Sequence, residues 1–239
     1  MEKEYSLGKN DALIIGDVQK DFLPGGALPV PEGEKVIPIL NDYIRLFTAA
    51  HAKVYAIRDW HPPNHVSFQA YGGQWPAHCI QETEGAKFHP DLKLPADVTV
   101  ISKAMDPSRE SYSGFDGTAL VEDLRMNGVA RLFVGGLATD YCVKGTVLDG
   151  LGFGFEVILL SDATRGINVK LGDVEKAVEA MTLRGAETAI LEDFTEMAEI
   201  PTAEPVGEAI AEKPLTRADK KKTARLRSRG PYRKARTER

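Results

Sequence analysis

The clearest indication of the fold is the stretch Ala130-Arg-Leu-Phe-Val-Gly-Gly-Leu-Ala-Thr-Asp-Tyr-Cys142. Its first half is apolar, as in a buried strand, whereas residues 143–151, which follow it, have the pattern of a helix. A strand that passes directly into a helix is typical of parallel α/β sheets. Cys142, one of only two cysteines in the chain, is the last residue of this stretch. We therefore predict that Cys142 lies at the junction between a strand and a helix.

The same alternation continues on both sides of this stretch. Apolar runs predict strands at residues 12–15, 53–57, 98–101, 131–134, 156–160 and 188–191. Amphipathic runs predict helices at residues 34–51, 117–126, 139–151 and 172–184. Continuously apolar strands separated by helices predict an α/β fold, in which a parallel sheet is covered by helices on both faces.

Length and charge indicate one globular domain with a tail. A chain of 239 residues, 43% of them hydrophobic, can bury a sizeable core. Residues 213–239 hold 12 basic and 2 acidic side chains, a net charge of +10, so the total of −5 leaves −15 on the rest. We predict a domain over residues 1–193, then a linker and a basic, disordered tail over 194–239. Nucleic-acid contact is an alternative role for the tail.

Sequence features also bear on location. No apolar signal follows the start, and no apolar run approaches the roughly 18 residues of a membrane span. Two cysteines are too few for a disulfide framework. We therefore expect a cytoplasmic protein without membrane contact.

Reactive side chains follow the predicted strands. Asp17, Lys103 and Cys142 come at or after the ends of strands one, three and four, where ligands of open α/β sheets bind. If Thr139 is an N-cap, Cys142 lies in the first turn of a helix, which is expected to lower its pKa. A carboxylate nearby can take the thiol proton, and a lysine can stabilise both charges. The alternative is an inert, packed cysteine.

A second set of reactive residues follows strand two, in a connection of about forty residues. A connection of this length in a compact domain usually carries functional residues. Asp59 and His61 are two residues apart and share a face of an extended chain. His78 can complete a site of two histidines and one carboxylate, which suits zinc, iron or manganese. His65 is a competing ligand, and Ser67 could contact a metal-bound water. The alternative is a polar loop whose histidines form local hydrogen bonds.

Other residues of these loops are weaker candidates. We expect Cys79 to be a packed small hydrophobe rather than a ligand. Phe22, Trp60, Trp75 and Tyr112 could stack on a flat ring, although loop aromatics are also common as lids on a core.

Six motifs occur in a fixed order: Asp17-Val-Gln-Lys-Asp-Phe22, Asp59-Trp-His-Pro-Pro-Asn-His65, Trp75-Pro-Ala-His-Cys79, Ser102-Lys103, Tyr112-Ser-Gly-Phe115 and Gly136-Leu-Ala-Thr-Asp-Tyr-Cys142. Over residues 11–191 the chain resembles the nicotinamidases (pyrazinamidases) of the isochorismatase-like cysteine hydrolase superfamily. Some members of this superfamily lack the metal motif. The alternative is thus a metal-independent hydrolase that acts on another small amide, carbamoyl or vinyl-ether substrate.

The resemblance implies a six-stranded parallel sheet flanked by helices and a cis peptide at Leu137–Ala138. It implies hydrolysis of nicotinamide, or of pyrazinamide, through a thioester, with one divalent metal ion: zinc by preference, otherwise iron or manganese. A homo-oligomer is a further option. The site it implies has a catalytic triad of Asp17, Lys103 and Cys142. Its oxyanion hole is formed by Ala138 and Cys142. Its ring-binding walls are Phe22, Trp75 and Tyr112, and its metal ligands are Asp59, His61 and His78. We expect the triad and the metal ligands to lie about one aromatic ring apart.

Overall fold

The computed structural model describes residues 4–194, in which six strands form a single parallel sheet. The strands are β1 Asp11–Gly16, β2 Lys53–Asp59, β3 Thr99–Lys103, β4 Arg131–Leu137, β5 Glu156–Arg165 and β6 Glu187–Ala189. Their order across the sheet is β3-β2-β1-β4-β5-β6, and all neighbours are parallel. The predicted fold class and the six parallel strands are confirmed.

Helices cover both faces of the sheet. They are α1 Val36–Ala49, α2 Leu120–Met126, α3 Lys144–Gly152 and α4 Asp173–Leu183. In β1, Leu13 and Ile15 belong to the apolar core that includes α1, whereas Ile14 belongs to the core that includes α2, α3 and α4. This alternation follows from the two-residue repeat of a strand. All three side chains are fully buried, which explains why β1 is continuously apolar.

Five of the six strands, β1 to β5, continue beyond their predicted apolar runs. β2 reaches Asp59, which is paired with Lys103 at the end of β3, and β4 reaches Leu137, which is paired with Arg165 at the end of β5. Polar residues and glycines extend these strands because each still has a neighbouring strand to pair with. β6 ends at Ala189, two residues earlier than predicted, and a 3₁₀ turn, Leu191–Asp193, follows.

The connectivity of the sheet reverses between β1 and β4, which creates a crevice beyond their carboxyl ends. The two strands approach closely here. Gly136 has a φ of +110°, and a Cβ at this position would lie 2.2 Å from the carbonyl oxygen of Gly16, so only glycine fits. Asp17 follows β1, and the segment that leads to Cys142 follows β4. The fold therefore brings the two predicted catalytic side chains to the same crevice.

Two further predictions concern the ends and surroundings of the domain. Within residues 4–194, no helix is both long and apolar enough to cross a membrane. Phe194, the first residue of the predicted linker, is buried in the core. The rest of the predicted linker and basic tail, residues 195–239, lies outside the described residues.

Candidate active site

Asp17, Lys103 and Cys142 meet at the carboxyl ends of β1, β3 and β4. Lys103 Nζ lies 3.3 Å from Cys142 Sγ and 3.2 Å from Asp17 Oδ2. All three side chains are buried, with 1% or less of Asp17 and Lys103 exposed. Within residues 4–194, the polar groups that face the Asp17 carboxylate are the Lys103 ammonium and the Cys142 thiol, so the carboxylate is placed to accept a proton from the thiol. The predicted convergence of these three residues is confirmed.

The electrostatics of this trio differ from the prediction at the sulfur. Burial raises the pKa of Cys142 well above its ordinary value, and Asp17 and Asp59 add to the rise against the Lys103 ammonium. The prediction of a lowered thiol pKa is therefore wrong, because the thiol is buried beside two carboxylates. The sulfur is therefore a thiol at neutral pH, and any attack by it would require a proton acceptor.

Asp17 is suited to be that acceptor. Burial raises its pKa to about 7, with Asp59 adding to the rise and Lys103 opposing it. Burial alone would lower the pKa of Lys103, but Asp17 and Asp59 together raise it well above its ordinary value. Lys103 is therefore a permanent cation, and Asp17 is a carboxylate that can hold or release a proton near neutral pH.

The backbone around Cys142 is wider than an ordinary helix start. Residues Thr139–Val143 form a π-helical turn, in which the Val143 N–H donates to the carbonyl oxygen of Ala138 at 3.1 Å, and α3 begins only at Lys144. Thr139 does not cap the helix; its hydroxyl lies 2.7 Å from that of Thr164. The peptide Leu137–Ala138 is cis, as the resemblance implies.

The predicted metal ligands also converge. One donor atom each of Asp59, His61 and His78 lies within 4.8 Å of the others, and all three residues are buried. Nδ1 of His61 lies 3.2 Å from the carbonyl oxygen of His78, and Nδ1 of His78 lies 2.8 Å from that of Pro76. A carbonyl oxygen can only accept, so both Nδ1 atoms carry the proton, and each Nε2 keeps a lone pair for a metal.

The charge states of these ligands fit a metal site. Burial lowers the pKa of His61 to about 4, although the neighbouring Asp59 opposes the shift, so the ring is neutral at neutral pH. Despite its burial, Asp59 has a lowered pKa, because Lys103 favours its charged form. Neutral imidazoles and an ionised carboxylate are the protonation states that bind a divalent cation.

Lys103 joins the triad to the metal ligands. Its Nζ also lies 2.5 Å from Asp59 Oδ1, and one oxygen each of Asp17 and Asp59 lies within 4.8 Å of Cys142 Sγ and of each other. Asp59 therefore belongs to both sets, which are contiguous at this residue.

His65 has donor atoms of His61 and Glu110 within 4.8 Å, but its own hydrogen bonds make it, like Cys79, a weaker candidate for a metal ligand. His65 Nδ1 lies 2.7 Å from Ser67 Oγ and Nε2 lies 3.0 Å from the carbonyl oxygen of Arg109, so both ring nitrogens have protein partners. Cys79 is fully buried in the apolar core, as predicted. The site favours His61 and His78 over His65 as ligands.

A cleft opens onto Cys142, and all three predicted ring-binding residues line it. These are Phe22, Trp75 and Tyr112; Ala138 of the predicted oxyanion hole lines it too. Five further lining residues were not foreseen from the sequence: Leu28, Glu110, Ser111, Tyr141 and Ile167.

One of these further lining residues, Ile167, is held in place by Asp140, which belongs to the same sequence motif as Cys142. The buried carboxylate of Asp140 accepts the N–H groups of Ile167 and Asn168, at 2.9 and 2.8 Å. Ile167 thereby becomes part of the cleft although it is 25 residues from Cys142 in sequence. The Asp140 in the motif was the one available signal, but its partners could not be read from the sequence.

Known proteins match both this sequence and this fold. The family model "Isochorismatase domain" matches residues 11–193. Nicotinamidase of Escherichia coli K12 is 39% identical over 206 residues, which are 77% of this chain and 97% of that protein. A pyrazinamidase of Pyrococcus horikoshii, solved in complex with zinc, is 53% identical with a TM-score of 0.73, over 76% of this chain and 99% of that one.

A third relative carries a ligand. PnC1 of L. infantum, solved in complex with nicotinate, is 32% identical with a TM-score of 0.72, over 80% of this chain and 98% of that one. Fold and matches together define a hydrolase with the isochorismatase fold. The chain belongs to the isochorismatase family, and the resemblance to its nicotinamidase and pyrazinamidase members is confirmed.

Proposed function

We propose that the protein hydrolyses nicotinamide to nicotinate and ammonia through a thioester on Cys142. The observation that carries this proposal is the position of Lys103 Nζ, within 3.3 Å of Cys142, Asp17 and Asp59 at once. A nucleophile and its proton acceptor thus lie beside a set of metal ligands. The nicotinamidase and the nicotinate-bound relative support this substrate. The pyrazinamidase relative supports pyrazinamide as a second one.

The first half of the reaction transfers the acyl group to sulfur. Asp17 accepts the thiol proton of Cys142 as Sγ forms a bond to the carboxamide carbon, whose oxygen becomes an oxyanion. The N–H groups of Ala138 and Cys142 donate hydrogen bonds to that oxyanion. When the carbon–nitrogen bond breaks, Asp17 returns the proton to the nitrogen, which leaves as ammonia. The nicotinoyl group remains on Sγ.

The second half releases the acid. Asp17, ionised again, takes a proton from water as the water oxygen attacks the thioester carbon. The carbon–sulfur bond then breaks, the proton passes from Asp17 to Sγ, and nicotinic acid departs and ionises to nicotinate by releasing its proton to water. Lys103 stays charged throughout and keeps Asp17 and Asp59 in position.

Asp59, His61 and His78 would hold a divalent metal ion, which the neutral ring of His61, the Nδ1 contacts of both histidines with carbonyl oxygens and the ionised carboxylate of Asp59 suit. We propose zinc, which the Pyrococcus horikoshii relative binds, with iron or manganese as alternatives for the same donors. When bound, the metal would present an open coordination position to the pyridine nitrogen and so orient the ring.

We propose that Phe22, Trp75 and Tyr112 hold the flat ring. Trp75 Nε1 donates to the hydroxyl of Tyr112 at 3.1 Å, which fixes these two side chains against each other. The ring of Phe22 lies 5.4 Å, between centroids, from that of His78, so it is placed beside the metal ligands. Aromatic faces at these positions favour a planar substrate.

The setting that we propose for this reaction is the cytoplasm. Cys79 and Cys142 are both free thiols, as expected in a reducing compartment. A homo-oligomer and nucleic-acid contact through the basic tail stay predictions.

We expect the protein to release ammonia from nicotinamide, and we expect thorough metal removal to suppress this activity. The reason is that the ring would lose the contact that orients its carboxamide. The measurement is ammonia release before chelation, after chelation and after addition of zinc, with the metal content of each sample determined. Benzamide, which lacks the ring nitrogen, is the matched substrate and should react far more slowly. Undiminished turnover by protein shown to be metal-free would instead favour a metal-independent hydrolase.

The pH dependence of the reaction should report Asp17. Its pKa is raised to about 7, and only the ionised form can accept the thiol proton. Below that pH we expect kcat/KM to fall by about tenfold per unit as protonated Asp17 accumulates, and above it to level off. The measurement is kcat/KM for nicotinamide from acid to mildly alkaline pH, at saturating metal. A profile that is flat across neutrality would argue against Asp17 as the base.

A further inference from the structure

The carboxamide of Gln19 is fully buried between three segments of the site. Its Nε2 donates to the carbonyl oxygens of Asp59 and Ala86, both at 2.8 Å. Its Oε1 accepts the N–H of Asp59, also at 2.8 Å. One side chain therefore satisfies both main-chain polar groups of Asp59 and contacts the loop that follows His78.

The side chain of Gln19 takes the place of main-chain hydrogen bonds that β1 no longer makes to β2 once β1 has ended. On the edge of β2 that pairs with β1, the last main-chain hydrogen bond is the one that the Asp17 N–H donates to the carbonyl oxygen of Ile57, at 3.0 Å. Asp17 has a φ of 48°, and its own carbonyl oxygen accepts the N–H of Gln19, so the chain turns away from β2. The next main-chain groups of β2 on this side belong to Asp59, because alternate residues of a strand face the same neighbour.

Without a partner, these groups of Asp59 would be buried and unpaired, which is costly. A primary amide offers the same N–H donor and carbonyl acceptor as a peptide group. Gln19 thus supplies the hydrogen bonds that one more residue of β1 would have made. On the other side of β2, the N–H of Trp60 donates to the carbonyl oxygen of Lys103 at 3.1 Å. Asp59 is consequently held from both sides.

We propose that Gln19 is a positioning residue that fixes Asp59 for its two roles, as partner of Lys103 and as metal ligand. This inference rests on the proposed function, since it assigns Gln19 to the proposed metal site. Asp59 Oδ1 lies 2.5 Å from Lys103 Nζ, and a donor atom of Asp59 lies within 4.8 Å of those of His61 and His78. A displaced main chain at Asp59 would disturb both contacts together.

The test is the zinc affinity of Gln19→Glu, which keeps the size of the side chain. Its second oxygen would face the carbonyl oxygens of Asp59 and Ala86, so acceptor would meet acceptor where Nε2 now donates. We expect zinc affinity to fall by about 10- to 100-fold, as when other groups that orient metal ligands are removed. Gln19→Met, which removes the polar atoms without adding repulsion, is a second variant in case Gln19→Glu does not fold.

Asn41 provides a matched control. Its Nδ2 donates to the carbonyl oxygen of Asp91 and its Oδ1 accepts the N–H of Lys93, both at 2.8 Å, so it makes the same kind of main-chain contact. It lies on α1 and is absent from the lining of the cleft. Asn41→Asp should therefore lower the melting temperature while zinc affinity stays at the wild-type value.

Zinc affinity is measured by competition with a chromogenic chelator, and the ligand geometry by the visible absorption of the cobalt-substituted protein. Weakened zinc binding and an altered cobalt spectrum in folded Gln19 variants, but not in Asn41→Asp, would support the inference. Gln19 variants that are less stable but bind zinc like the wild type would overturn it and leave the metal site standing. A wild type that binds no zinc would overturn both the metal site and this role of Gln19.

Discussion

Replacement of Cys142 by alanine should abolish the release of ammonia from nicotinamide. The substitution removes the atom that forms the thioester, and no other sulfur within residues 4–194 lines the cleft. We expect kcat to fall by about 10⁴-fold or more, as is usual when a covalent nucleophile is removed. The metal ligands and the ring walls are untouched, so the variant should still bind zinc and nicotinamide. The measurements are ammonia release and ligand binding by calorimetry.

Cys79→Ala is the control for this experiment, because Cys79 is the other buried free thiol. Its side chain packs in the apolar core, and its N–H, which donates to Asp21 at 2.7 Å, is kept by alanine. We expect a loss of stability with turnover retained. Normal turnover by Cys142→Ala would refute the covalent mechanism.

Replacement of Asp17 by asparagine should have the second largest effect. An amide of the same shape cannot accept the thiol proton, so we expect kcat to fall by about 10²- to 10⁴-fold. Stability should change in the opposite direction. Because burial raises the pKa of Asp17, its proton is bound more tightly in the folded than in the unfolded chain, so stability is lost as pH rises through about 7. At pH 8 the neutral amide avoids this cost, and the melting temperature should not fall.

Asp11→Asn is the matched control, at the opposite end of the same strand. Asp11 accepts from Arg131 Nε at 2.7 Å and from Nη2 at 3.1 Å, far from the cleft. This substitution should lower the melting temperature and leave kcat unchanged, the reverse of the Asp17 result. Asp17→Asn with full activity, or with a loss of stability like that of Asp11→Asn, would show that Asp17 is structural.

The positions of the catalytic side chains were predictable because they depend on topology. Asp17 and Lys103 lie at strand ends, and Cys142 just beyond one, which apolar runs reveal, and parallel strands bring these ends to one edge. The two-residue spacing of Asp59 and His61 likewise placed both on one face. Such inferences need only the period of a strand and the order of its neighbours.

Features that depend on surroundings were not predictable in this way. The raised pKa of Cys142 comes from burial beside two carboxylates, whose distances exist only in the folded chain. Ile167 becomes a wall of the cleft through hydrogen bonds of its own N–H and that of the next residue to Asp140. In the sequence, Gln19 cannot be told apart from an ordinary polar residue. The positioning of Asp59 that we propose for it depends on where β1 turns away from β2, which only the folded chain shows.

The proposed mechanism requires the nicotinoyl group to be bound covalently to Cys142 as a thioester. The most direct test is mass spectrometry of wild-type protein that is quenched with acid during turnover of nicotinamide and then digested. We expect one nicotinoyl group on the peptide that contains Cys142, absent when substrate is omitted and absent in Cys142→Ala. Formation of one equivalent of nicotinate per protein, with no acyl group on that peptide at any quench time during this first turnover, would rule out the thioester.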